Sequence, residues 1–267
     1  MIVLTGLAER NSALKAGRID ALAAPVDYFV LSAGNNLTAT VAMAIDESNG
    51  ADGIVATSDV KTVADLRGKR VAFQRGLPSE FFLRALLQQN GLTLADLKPI
   101  DMETAQAGAA FISKQVDAAV IWEPWLSKAS QEGHGHILAS SKDYPNLIVD
   151  CLGFNPEVVS RSPQDVQAIV NAVLRAIAYV KSNPGDANAI MAPNFQVDAT
   201  KLGQILTGIN FCDLQRNRKY FGTVQEPGPI FQVAERASKI WQEAGVISKP
   251  VSPQEVISVE FIAKAKE

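Results

Sequence analysis

Seven residues hold places where this chain's side chains could meet a small solute: Asp46, Ser48, Ser79, Glu80, Trp122, Glu123 and Asp150. None comes with the partners that catalysis would need. Cys151 follows Asp150 with no adjacent histidine, and a thiol nucleophile needs a positioned base. His134 and His136 lie in E-G-H-G-H with no third metal ligand nearby, so the stretch reads as a surface turn and no metal site is expected. There is no Walker sequence and no G-x-G-x-x-G, which sets aside an ATPase or a nucleotide-dependent oxidoreductase. The residue types point to binding without catalysis, and no cofactor is implied.

In open α/β sheets a ligand lies outside the carboxyl ends of the strands. Three loops meet that condition. In 74–80, the turn formed by Gly76, Pro78 and Ser79 could present backbone N–H groups and a hydroxyl at a helix N-terminus, an anion site. The same residues also read as an ordinary loop with Ser79 as a plain cap. In Trp122-Glu123-Pro124-Trp125, Trp122 could pack on an apolar or cationic group. Glu123 could accept from an amine, or simply favour the helix that Pro124 begins. Trp125 is assigned to the core. In 46–52, Asp46 and Ser48 are the candidates, set against a turn whose Asx side chains bond their own backbone. Asp150 is a fourth candidate. Unpaired carboxylates at positions 46, 80, 123 and 150 would repel a bare anion, so a zwitterion or a cation is the expected ligand. The alternative places Glu80 on the solvent face of its helix.

The elements that must position these residues are announced by a motif that occurs twice. Residues 13–25 read A-L-K-A-G-R-I-D-A-L-A-A-P, and residues 110–124 read A-F-I-S-K-Q-V-D-A-A-V-I-W-E-P. Ala13, Leu14, Ile19, Asp20 and Ala21 fall on Ala110, Phe111, Val116, Asp117 and Ala118. Each copy predicts a helix end, a tight turn and a short strand. Gly17 suits the left-handed position that closes a helix, and Lys114 holds the matching place at greater cost. Two such copies imply two similar α/β halves, which often hold a ligand between them.

Along the chain the pattern predicts helix 9–17, strand 19–24, a helix from Tyr28, strand 38–45, a loop over D-E-S-N-G-A-D-G (46–53) and strand 54–57. A capping-box spacing at Thr62 and Asp65 predicts a short helix. Strand 70–73, helix 80–89, strand 97–100, helix 103–114, strand 117–122, helix 123–132 and strands 136–139 and 147–154 follow. Helices are expected at 163–182, 184–191, 198–206, 227–244 and 252–265. Val166, Ile169, Val170, Val173, Leu174 and Ile177 form an expected packing stripe. Arg216, Arg218 and Lys219 read as a solvated basic loop. This alternation implies parallel sheets with right-handed crossovers.

Bulk properties narrow the class. A net charge of −3 leaves no footprint for nucleic acid. No apolar run reaches the roughly 20 residues of a membrane-spanning helix. Met1–Leu7 is a short apolar run without a basic n-region, so no signal peptide is read here. Cys151 and Cys212 could pair in an oxidising compartment or stand as two buried thiols.

The stretches K-T-V-A-D-L-R-G-K-R-V-A-F-Q-R-G (61–76), L-K-A-G-R-I-D-A, F-I-S-K-Q-V-D-A-A-V-I-W-E-P-W and D-E-S-N-G-A-D-G-I-V-A resemble, in order and spacing, periplasmic solute-binding proteins. These are the binding components of ABC importers of the nitrate, sulfonate, taurine and thiamine-precursor type. The resemblance spans Ala8 to Ile262. It implies a two-lobed periplasmic-binding-protein-like (type II) α/β fold, each lobe a mostly parallel sheet flanked by helices. Lobe one is expected over 1–66 with 150–267, and lobe two over 67–149. The family's usual opening strand-helix-strand is missing before Ala8, which implies an incomplete or unusual first lobe. The implied function is capture of a small organic solute (sulfonate- or taurine-like, nitrate-like, or an amine or pyrimidine) in the inter-lobe cleft, without catalysis. Implied partners are the membrane permease and ATPase of an importer. A monomer in the periplasm or another extracytoplasmic space follows. The resemblance also puts Glu80 where sulfonate-type relatives often carry histidine. Enzymes on the same scaffold, in thiamine-pyrimidine synthesis or desulfination, are the alternative, and a ligand-sensing domain is a third class.

Overall fold

The structure is a computed structural model that describes residues 7–266. The expected run Met1–Leu7 lies, but for its last residue, outside them. In chain order the elements are α1 (Leu7–Lys15), β1 (Ala21–Pro25), α2 (Val26–Gly34), β2 (Thr40–Ser48), β3 (Asp52–Thr57), β4 (Arg70–Phe73), α3 (Pro78–Gln89), β5 (Lys98–Asp101), α4 (Thr104–Ile112), β6 (Ala118–Trp122), α5 (Trp125–Glu132), β7 (Gly135–Ser140) and β8 (Val149–Phe154). There follow α6 (Pro156–Arg161), α7 (Pro163–Ser182), α8 (Pro184–Phe195), α9 (Ala199–Leu206), β9 (Ile209–Phe211), α10 (Leu214–Phe221), α11 (Pro229–Glu243), α12 (Pro253–Val256) and α13 (Glu260–Lys264). Thr62 and Asp65 close the expected capping box, on a single 3-10 turn.

The chain divides into two compact units. Unit 1 comprises Met1–Glu47, Ile148–Gly203 and Asn210–Glu267; unit 2 comprises Ser48–Leu147 and Gln204–Ile209. Residues 48–66, expected with the first lobe, belong to unit 2 because β3 bonds there to β6 on one edge and β7 on the other.

Unit 1's sheet has the strand order β1-β8-β2-β9, and unit 2's has β5-β4-β6-β3-β7. In unit 2, β4 runs parallel to β5 and β6, while β3 runs against β6 and β7. Four strands therefore share one direction, as expected. In unit 1, β8 runs antiparallel to both β1 and β2, so the expected parallel pairs are absent from those ladders. The reason is topological. β2 carries the chain out of the unit and β8 brings it back, so neighbours must run in opposite directions. β3 enters unit 2 in the same way. Among the described residues β1 stands at the edge of its sheet.

Both copies of the repeat fold alike. At the end of α1, Gly17 has φ 61, its N–H donates to the Leu14 carbonyl (3.0 Å), and the Arg18 N–H donates to Ala13 (2.9 Å). At the end of α4, Lys114 has φ 62, its N–H donates to Phe111 (3.0 Å), and the Gln115 N–H donates to Ala110 (2.8 Å). β1 and β6 then each pair with a strand running against them.

Other expectations give way. The expected loop 46–53 shrinks to a turn at 49–51: β2 runs through Ser48 and β3 begins at Asp52, because ladder bonding outweighs turn propensity at both ends. The expected helix 252–265 is broken at Ile257, which bridges to Val41, and the Ser258 N–H donates to the Val41 carbonyl (3.0 Å). Ile169 lies 43% exposed, off the buried stripe of α7 formed by Val166, Val170, Leu174 and Ile177.

The Q-R-N-R-K-Y-F stretch, expected as a solvated loop, is α10. Asp213 caps it by accepting from the Arg216 N–H (2.8 Å). Arg216 pairs with the buried Glu47, and Arg218 donates to the Ala265 carbonyl (3.3 Å). Asn217, fully buried, matches the backbone of β2. Its Oδ1 accepts from the Ala44 N–H (2.8 Å) and its Nδ2 donates to the Ala44 carbonyl (2.9 Å).

Two predictions follow from these positions. Lys114→Gly relieves a left-handed backbone and is expected to raise stability by up to about 1 kcal/mol in urea titration. Asn217→Ala leaves a buried N–H and carbonyl unmet and is expected to cost about 2–4 kcal/mol in the same measurement.

Candidate functional site

The connections in unit 2 create a switch point. From β4 the chain passes through α3 to β5 on one side. From β6 it passes through α5 to β7 on the other. β4 and β6 are parallel neighbours, so the loops 74–77 and 123–124 part at the same edge of the sheet. Crevices of this kind receive ligands in open α/β sheets.

The loop after β4 is internally bonded. The Gln74 N–H donates to Ser79 Oγ (3.1 Å), the Arg75 N–H to Asp101 Oδ1 (3.1 Å) and the Gly76 N–H to Glu80 Oε2 (2.7 Å). Gly76 sits at φ 67, where a side chain would be strained. Ser79 therefore does not cap α3. Pro78 opens that helix after Leu77, and the Ser79 hydroxyl also donates to the Gln74 carbonyl (3.1 Å). Glu80 does not face solvent either. It is 3% exposed, and its Oε1 accepts from Arg84 Nε (2.9 Å) and Nη2 (2.7 Å). The ion pair matches its charge, so Glu80 shapes the loop and gives no ground for excluding an anion. What this loop offers a solute are the half-buried side-chain amide of Gln74 and the exposed Arg75 guanidinium. Arg75 escaped the sequence reading, although its place one residue before Gly76 in the same loop could have marked it.

Trp122 ends β6 half-buried, opposite Asp52. Glu123 accepts from the Ser127 hydroxyl (2.5 Å) and N–H (3.1 Å), which satisfies the start of α5. Pro124 precedes that helix and does not begin it. Trp125 is partly buried against the unit 2 core, as assigned, with Lys128 Nζ 5.6 Å from its ring. The Ser48 hydroxyl is spent on Asp52 Oδ2 (2.6 Å) and Ser141 Oγ (2.7 Å).

Unit 1 holds the other two candidates. Asp46 and Asp150 are direct cross-strand partners on β2 and β8, so both project to one face. Burial pushes the Asp150 carboxyl up from 3.8 to about 6, while Arg10 pulls the other way. Asp27, 1% exposed at the start of α2, lies close enough, with Asp46 and Asp150, to raise Cys151. Burial lifts the Cys151 thiol well above its ordinary value and Cys212 to about 12. Both are free thiols. Cys151 pairs with Ala44 on one edge of β2, and the Cys212 N–H donates to Ile45 on the other (2.8 Å), so a whole strand separates them. Neither is poised as a nucleophile. His136 lies within β7, paired with Ala56, and no group of three metal-binding side chains occurs among the described residues.

A family model described as NMT1/THI5 like matches residues 8–187. The chain belongs to the NMT1/THI5-like family. A Brucella abortus (strain 2308) protein designated only as a binding protein is 27% identical over 198 residues, covering 71% of this chain and 62% of the relative. The chain thus spans under two thirds of that relative. An Escherichia coli (strain K12) protein named for binding aliphatic sulfonates is 31% identical over 153 residues, 57% of this chain and 48% of the relative. The fold is that of the periplasmic aliphatic sulphonate binding protein SsuA from Escherichia coli, with TM-score 0.79 and 21% identity over 98% of this chain and 87% of that one. The desulfurization enzyme DSZB also has it, at TM-score 0.65 and 15% identity over 91% and 84% of the two chains. Among the described residues no helix is long and apolar enough to cross a membrane.

The raised Asp150 carboxyl has a sign. A group whose folded-state pKa lies above its unfolded value holds its proton more tightly in the native state. Its stabilising contribution is present at low pH and lost as pH rises from about 4 to 6. Asp150→Asn is therefore expected to raise the melting temperature above pH 6, with the gain closing below about pH 4. Melting curves across pH 3–8 check this, and a pH-independent gain would overturn it.

Proposed function

We propose that this chain is the solute-binding component of an ABC importer, and that its solute is a small organic sulfonate. The switch point between β4 and β6, with Arg75 on the loop that opens there, carries this reading. A guanidinium presents a fork of donors suited to a multi-oxygen anion. Matched pairs at Glu80–Arg84 and Glu47–Arg216 remove two carboxylates from the repulsion an anion would meet. Relatives named for binding, one of them for sulfonates, support the same assignment. Gln74 and Trp122 are the further contacts proposed; the carboxylates of Asp46 and Asp150, which would repel an anion, are not among them. Gly76, Pro78, Ser79, Glu80, Glu123 and Ser48 act by shaping their loops.

No chemistry on the solute is proposed. Both thiols are buried with raised pKa, and no histidine is placed to activate them. The chain would act as a monomer outside the cytoplasm and hand its solute to a permease driven by a separate ATPase. The enzyme alternative would need a nucleophile other than these two buried thiols.

A thermal-shift screen with 1-butanesulfonate, taurine, nitrate, aminopyrimidine and butylamine tests the reading. At a hundredfold excess over Kd, a ligand that binds only the native state adds about 2.7 kcal/mol. That is a rise of about 5 °C or more for a chain of this size. The rise is expected with butanesulfonate, smaller in Arg75→Ala, and without product in the mixture. A rise with none of these compounds, or turnover of any, would sink the proposal.

A further inference from the structure

Thr104 opens α4 and is 5% exposed. Its Oγ1 is buried and makes no hydrogen bond among the described residues. A hydroxyl withdrawn from water and left unmet is costly and calls for an explanation. A threonine within a helix can turn to the carbonyl four residues back. At the first helical position that carbonyl lies outside the helix.

The surroundings are those of an anion receptor. The start of α4 has no side-chain cap and no acidic residue in its first turn. The first intrahelical bond runs from the Ala107 N–H to the Glu103 carbonyl (2.8 Å). The N–H groups of Thr104, Ala105 and Gln106 precede it, at the positive end of the helix dipole. Two bonds hold this turn beside the loop after β4. The Met102 N–H donates to the Phe73 carbonyl (3.1 Å), and Asp101 accepts from the Arg75 N–H (3.1 Å). β4 and β5 are parallel neighbours, so both loops leave one edge of the sheet. Arg75 brings its guanidinium there, with Nε 3.9 Å from Asp101 Oδ2. Two carboxylates lie in the approach, Asp101 and the exposed Glu103, and Asp101 is taken up by Arg75.

We propose that the Thr104 hydroxyl, the first-turn N–H groups of α4 and the Arg75 guanidinium bind the oxyanion head group of the solute. This rests on the proposed solute-binding role and adds which end of the solute is held, and through which atoms. Sulfonate, sulfate and phosphate share the required chemistry.

Calorimetric titration of the wild type, Thr104→Val and Thr104→Ser with 1-butanesulfonate, inorganic sulfate and butylamine separates the outcomes. Thr104→Val is expected to weaken butanesulfonate at least about tenfold, the loss of one hydrogen bond to a charged group. Its unliganded melting temperature is expected to hold or rise, because an unmet hydroxyl has been removed. Thr104→Ser is expected to bind within a few-fold of wild type. Sulfate is expected to compete with butanesulfonate and to shift the Ala105 and Gln106 amide resonances of the wild type. Equal butanesulfonate affinity in Thr104→Val, or unmoved amides, overturns the head-group assignment and leaves the solute-binding role intact. Binding of butylamine alone overturns the assignment while a solute-binding role survives. Binding of none of the three brings both down.

Discussion

The hydrogen-bond ladders along both edges of β8 are the interaction on which the rest depends. β8 lies between β1 and β2, which run the same way but have no bonds to each other. Without the returning strand, unit 1 would have separate strands in place of that sheet. β3 does the same for unit 2 by lying between β6 and β7. These reversed central strands fix which end of each neighbour faces which way. The direct parallel pairing of β4 with β6 places the loops after them at one edge of unit 2, and β8 brings Asp46 opposite Asp150 in unit 1. The serine knot of Ser48, Asp52 and Ser141 secures the turn into β3, where the Gly50 N–H donates to Ser141 Oγ (2.7 Å). The carbonyl of Gly208 accepts from Asn49 and Ala51 in the same turn.

Charge is distributed by the same logic. Carboxylates that hold the frame have their partners close by: Glu80 on Arg84, Glu47 on Arg216, Asp117 on Arg70. Glu80 and Glu47 are buried, and removing one member of such a pair costs far more than the pair contributes. Asp150, the cross-strand neighbour of Asp46, is set apart by burial, which leaves it titrating within reach of mildly acid solution.

Much of this was legible in the sequence, and the reasons differ from residue to residue. The repeat was, because a left-handed turn between a helix and a strand constrains residue types locally, so Gly17 and Lys114 could be matched without any long-range information. The α/β class and the strand from Arg70 to Phe73 followed from apolar periodicity. The strand ends within 46–53 did not, since β2 and β3 lie in different sheets and exist through ladders to distant strands, β2 to β8 and β3 to β6 and β7. Helix α10 was missed although Asp213 and Gly222 mark its two ends, because its own residues are too polar to show a buried stripe. At the site, strand ends could be located and bonding could not. Glu80 looked like an unpaired charge because Arg84, one helical turn on, was not weighed as its partner. Thr104 was invisible, since only burial distinguishes it from any threonine that begins a helix.

The position of β8 also bears on the order in which structure can appear. Unit 2 is nearly continuous in sequence, so most of its contacts join segments that leave the ribosome close together. Unit 1 cannot close its sheet until the whole of 48–147 has been made and β8 has followed. Its ladders then close a long loop, the kind of step that slows folding through chain entropy. During synthesis the chain would therefore carry one finished half and one waiting half. In the waiting half, β1 and the apolar helix α2 would be the surfaces in need of protection from other chains.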